Sequence, residues 1–131
     1  MEKDSDFIKM VADYMSEGML ENIISMFRQD ETNYSMIPDL IEDERVRVRL
    51  GVTALVEELA GEKPSSFAKI IPEIAALLEK DNLTLRGDAA NLLSIIAIPE
   101  CMPFFEKYKN DSNPDIREMM QEAIIEMDTR N

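Results

Sequence analysis

The 131-residue chain has no histidine, no tryptophan, one cysteine and only four glycines. Each shortage removes a class of chemistry. Without histidine there is no imidazole general base, no Ser-His or Cys-His nucleophile pair, and no histidine-containing metal site. A single thiol, Cys101, excludes an internal disulfide framework and a multi-cysteine zinc site, and it suits a reducing compartment. The glycines stand at 18, 51, 61 and 87, too far apart for a loop that cradles phosphate. Cations are scarce as well: 14 basic residues face 27 acidic ones, giving a net charge of −13. So acidic a chain is repelled by nucleic-acid backbones and anionic lipid, which argues against a nucleic-acid partner and a membrane partner. No stretch approaches the length and apolarity of a membrane span. The start, Met1-Glu2-Lys3-Asp4-Ser5-Asp6, is acidic where a secretory signal is basic. The expectation is a cytoplasmic protein, and the polar end Asp128-Thr129-Arg130-Asn131 reads as the finish of a complete small one.

What is present points to helices. Hydrophobic residues make up 45% of the chain and charged ones 31%, enough apolar surface for one folded domain over 1–131. Leu, Ala, Met, Glu and Lys dominate, and alternation of period two is scarce, so the chain is expected to be all-α. The charge is uneven. Residues 1–44 carry 12 acids and 3 bases, whereas residues 45–91 carry 7 of each. The acidic first third is a solvated face or a surface for a basic partner.

Three segments share a layout. Ile37-Pro38-Asp39-Leu40-Ile41, Ile71-Pro72-Glu73-Ile74 and Met102-Pro103-Phe104-Phe105 each set a proline after a large apolar residue. Each leads to a turn acid, Asp43, Asp81 or Asp111, and then to an aliphatic-arginine pair, Val48-Arg49, Leu85-Arg86 or Ile116-Arg117. Three, six, seven and ten residues beyond the arginines every position is apolar: Val52, Leu55, Val56 and Leu59; Ala89, Leu92, Leu93 and Ile96; Met120, Ala123, Ile124 and Met127. That is helical spacing. A recurrence every 30 to 40 residues, two helices at a time, marks a helical-repeat stack. Pro38 lies three residues nearer its arginine than Pro72 and Pro103 do, so the first leading helix is shorter, shifted, or begun near Asn33. The expected helices run 4–15, 17–29, 33–42, 46–60, 66–80, 84–97, 101–109 and 114–128. Residues 1–32 form a capping helix pair broken at Ser16-Glu17-Gly18, and 33–128 hold about three repeats.

This pattern resembles the HEAT-repeat family, including the short repeats of PBS-lyase type. There, a first helix that often carries proline leads through a turn containing Asp to an aliphatic-arginine pair and a second helix. Asp43, Asp81 and Asp111 match the turn acid; Arg49, Arg86 and Arg117 match the arginine. The resemblance implies a right-handed α-α superhelix of about three to four antiparallel hairpins. Early small residues appear in the second helix only as Ala89-Ala90.

Candidate chemistry is sparse. Asp111, Asn113, Asp115 and Glu122 fall at calcium-loop positions, but Ile116 stands where that loop needs glycine. Asn113 and Pro114 suit a helix N-cap and first turn instead, so no metal is expected. Cys101 reads as a packed thiol. The arginines suggest phosphate binding, but the plainer reading pairs each with a turn acid of its own or a neighbouring repeat. Arg45, Arg47 and Arg49 form the one dense basic cluster, spread around a helix unless the chain before Val48 is extended. Of the ten methionines, Met10, Met26, Met120 and Met127 are expected in the core, and Met19, Met36, Met102 and Met119 at the surface.

In HEAT-like proteins the second helices line the surface that partners cross. Carried over, that surface includes Thr53 and Glu57, Ala90 and Asn91, and Gln121 and Glu122. The expected function is non-catalytic binding of a protein partner, with no cofactor. An assembly factor for a larger enzyme and a nucleic-acid backbone binder are the alternatives.

Overall fold

The computed structural model describes residues 4–130. Residues 1–3 and Asn131, which carry part of the reading of the two ends, lie outside them. The described residues form eight α-helices joined by 3-10 turns and no strand. The helices are α1 (Ser5–Ser16), α2 (Leu20–Gln29), α3 (Ile37–Leu40), α4 (Val46–Glu62), α5 (Ile71–Ala76), α6 (Leu83–Ile96), α7 (Met102–Tyr108) and α8 (Pro114–Arg130). The all-α expectation holds. None is long and apolar enough to cross a membrane.

The chain divides into two compact units, one up to Ser66 and one from Phe67. That division falls where the second repeat was expected to begin. The first unit holds α1 to α4, and the second holds α5 to α8.

In the first unit α1 and α2 both pack on α4. Asp4 caps α1 by accepting the Phe7 N–H at 3.1 Å. Gly18 takes φ +87°, a conformation that costs a side chain strain, and so turns α1 into α2. Val11, Ala12, Met15, Ile23 and Phe27 are buried. At Gly51 the missing side chain lets α4 approach, because a Cβ there would meet the Met15 methyl at 3.2 Å. Phe27 and Tyr34 stack with ring centroids 6.0 Å apart.

In the second unit α6 packs against α5 and α8, and α7 packs against α8. Of the twelve repeat positions after the arginines, eleven are buried across the two units and only Ile124 is half-buried. Each large aliphatic among them contributes about 1.5–3 kcal/mol by leaving water.

The leading helices of the repeats differ from expectation in one repeated way. They are not continuous. A 3-10 segment, Glu31–Met36, Pro64–Ile70 or Pro99–Cys101, precedes α3, α5 and α7, and Pro38, Pro72 and Pro103 then stand at the start of each α-helix. Proline has no N–H to give to the carbonyl four residues back, so the α ladder cannot run through it. The chain tightens ahead of it and restarts with proline in the first turn. α3 then spans only Ile37–Leu40, which accounts for the three residues missing before Arg49.

Some surface assignments also change. Met10 is 40% exposed rather than core, whereas Met36 is buried rather than exposed. Ala90, expected to face outward, is fully buried. Its neighbour Asn91 is the half-exposed one.

Candidate functional site: the faces and turns of the second helices

The repeat arginines have one role in common. Each donates a hydrogen bond to a backbone carbonyl in the chain just before its own helix. Arg49 Nη1 reaches Glu44 O at 3.1 Å, Arg86 Nε reaches Leu78 O at 2.6 Å, and Arg117 Nη1 reaches Asp111 O at 3.1 Å. Carbonyls at the end of one helix and in the following turn lack intrahelical partners, and a planar fork of donors satisfies them.

The turn acids do not follow one rule. Asp111 is held by the Arg86 guanidinium at 2.6 Å, across 25 residues of sequence, and also accepts the Asn113 N–H at 2.9 Å. The arginine beside it holds its carboxyl below the usual range, and Arg86 is correspondingly raised. Asp43 also accepts an N–H two residues on, that of Arg45 at 2.9 Å, but its carboxylate partner is the Arg45 side chain. The Arg45 hydrogen bonds lower the Asp43 carboxyl in turn. Asp81 is exposed, and the Arg86 fork goes to Asp111 rather than to it. Of the expected pairings of each arginine with a turn acid of its own or a neighbouring repeat, Arg86 makes the neighbouring-repeat one, with Asp111.

The second helices begin differently too. Asn82 Oδ1 accepts the Leu85 N–H at 3.1 Å, and Asn113 Oδ1 accepts the Ile116 N–H at 3.0 Å. Both are N-caps, as the Asn113 reading expected. With α8 helical from Pro114, Asp115 and Glu122 stand on a helix and cannot fold around an ion with Asp111. Arg45 precedes α4 in extended backbone and provides no side-chain cap. Its guanidinium bridges Asp43 and Asp13, the latter at 2.9 Å, so the Arg45, Arg47, Arg49 cluster does not present three cations together.

Cys101 is fully buried, and burial pushes its thiol up to about 11. It is a packed side chain rather than a nucleophile.

The predicted partner residues fall into two places. On α4 of the first unit, Thr53 is half-buried and donates to Arg49 O at 3.1 Å, and Glu57 is exposed. Helical spacing puts them on one stripe with Val46 and Leu50, which are 57% and 65% exposed. In the second unit Asn91 and Glu122 come together in a groove of about 550 Å³ between α6 and α8. Gln121 does not join them, because its side-chain amide donates to Lys109 O at 2.8 Å. The rest of the groove is Gly87, Asp88, Asp115, Glu118 and Met119. Asp88 and Glu118 escaped the sequence reading, which took Asp115 only as a calcium-loop position. The signal for Glu118 was the spacing of 115, 118 and 122 along one face of α8.

No protein-family model matches the chain, and no curated protein matches it in sequence.

Proposed function

We propose that the chain is a non-catalytic protein-binding module, a right-handed α-α superhelix of HEAT-like repeats that presents its second helices to a partner in the cytoplasm. The observation that carries this reading is the groove between α6 and α8, where Asn91 and Glu122 meet from separate helices. Two rigid helices side by side offer a partner a surface with little ordering cost. The exposed Val46 and Leu50 on the stripe of Thr53 and Glu57 support it, since apolar side chains left in water on a helix face are the anchors of interfaces. The use of Arg49, Arg86 and Arg117 on backbone carbonyls argues against a phosphate-gripping ladder.

Affinity purification of the tagged full chain from its own cells, with mass spectrometry at low and high salt, is the test. A protein partner at near-stoichiometric amount is expected, with recovery reduced by alanine at Glu57 and Asn91 together. Recovery of nucleic acid that washes off with salt, or no partner at all, contradicts the reading.

A further inference from the structure

The exposed stripe of α4 has a charge pattern of its own. Val46 and Leu50 stand exposed at its start, Thr53 and Ala54 are half-buried at its middle, and Glu57 is exposed at its end. The spacing 46, 50, 53, 57 is that of a seam between two helices. Arg47, also exposed, flanks the stripe beside Val46. The nearby ion pairs leave both end charges aside: Arg45 holds Asp43 and Asp13, and Arg28 holds Glu58 and Glu62. Among the described residues, Arg47 and Glu57 have no ion-pair partner. Arg49 turns away to Glu44 O, and the Thr53 hydroxyl donates to Arg49 O, so covering the middle of the stripe strands no donor.

Arg47 and Glu57 stand ten residues apart, about 15 Å along the helix, too far to pair with each other. A partner on this face must therefore bring one charge of each sign, in the reverse order, with apolar side chains between. A second copy turned antiparallel does so. About a two-fold axis at the middle of the stripe, Arg47 of each copy lies level with the partner's Glu57, and Leu50 lies level with the partner's Thr53 and Ala54. The small side chains there leave room for leucine and let two helix axes approach to about 8–10 Å. A face depleted of charge at its centre and charged at its rim has the make-up of an interface.

We infer that two copies of the chain associate through α4, packed antiparallel about a two-fold axis, with Leu50 at the centre and an Arg47–Glu57 pair at each end. The inference takes the α4 stripe from the protein-binding reading above and names its partner; the groove between α6 and α8 is not part of it. One helix pair makes a small interface, so the dimer is expected to form at micromolar concentration rather than below it.

Sedimentation velocity of the full chain, from micromolar to millimolar concentration, is the test. The wild type is expected to pass from monomer to dimer over that range. Leu50→Asp is expected to weaken the dimer about tenfold or more, whereas Ile125→Asp, at an equally exposed aliphatic residue of α8, leaves it unchanged. Arg47→Glu and Glu57→Arg each set like charges together at both ends and are expected to weaken it about tenfold. Mixed in equal amounts, these two variants restore attraction at both ends, and their heterodimer is expected to match the wild type. All four positions are exposed, so circular dichroism stays unchanged. A wild type that stays monomeric, a dimer indifferent to Leu50→Asp, or a mixture no stronger than either charge variant alone overturns the inference. Any of these leaves the protein-binding reading standing if another protein is recovered from cells; failure to recover one sinks that reading and not the dimer.

Discussion

Asp43 and Asp111 hold the same place in the sequence pattern, each in the turn before a second helix, but the two units use them differently. In the first unit Asp43 is tied to Arg45, two residues on, with the arginine side chain 43% exposed. In the second, Asp111 is tied to Arg86, 25 residues back, with side chains 17% and 11% exposed. A local, solvated pair fixes a turn and contributes little else, because water screens it and both partners are already neighbours when unfolded. A shielded pair between distant residues fastens one repeat to the next, and losing one partner strands the other. Helix starts differ in parallel: α6 and α8 have asparagine caps, whereas α4 begins after an arginine. The same turn acid thus meets an arginine two residues on in the first unit and the arginine of the preceding repeat in the second.

The largest expected effect breaks the second arrangement. Arg86→Met removes the bonds to both Asp111 and Leu78 O, and should cost about 2–3 kcal/mol of unfolding free energy in urea at pH 7. Asp43→Ala should cost far less. The pH dependence separates the two terms further. The Asp111 carboxyl lies below its unfolded value of about 3.9, so its contribution is complete above that pH and fades as pH falls through the lowered value. The gap between wild type and Arg86→Met should therefore narrow below about pH 4. A gap that stays constant to pH 2 would leave the loss to Leu78 O and packing alone.

The caps come next. Asn82→Ala and Asn113→Ala should each cost about 1 kcal/mol, a drop of about 3 °C in melting temperature. If Arg45→Ala lowers the melting temperature as much as either, the contrast between the helix starts is wrong.

How far these features were legible in the sequence depended on range. The apolar positions after Arg49, Arg86 and Arg117 could be read because helix periodicity is local, and eleven of the twelve are buried. Asn113 was legible as a cap because a cap acts over three residues. The Arg86 to Asp111 clip was not assigned, since three arginines and three acids allow many pairings and only the packing of α6, α7 and α8 selects one. Of the expected partner face, Asn91 and Glu122 stand where helical phase put them. Ala90 and Gln121 do not, one buried and the other turned to the Lys109 carbonyl. A phase error of one residue, about 100° on a helix, is enough to move a side chain from a face to its edge.

The central claim is that a protein partner meets the second helices, and a photo-crosslinking amino acid placed in cells tests it most directly. Position 91, in the groove on α6, and position 76, exposed on α5, provide the pair. The account predicts a discrete cross-linked protein from position 91 and none from position 76. Cross-links from position 76 alone, or from neither, would contradict it.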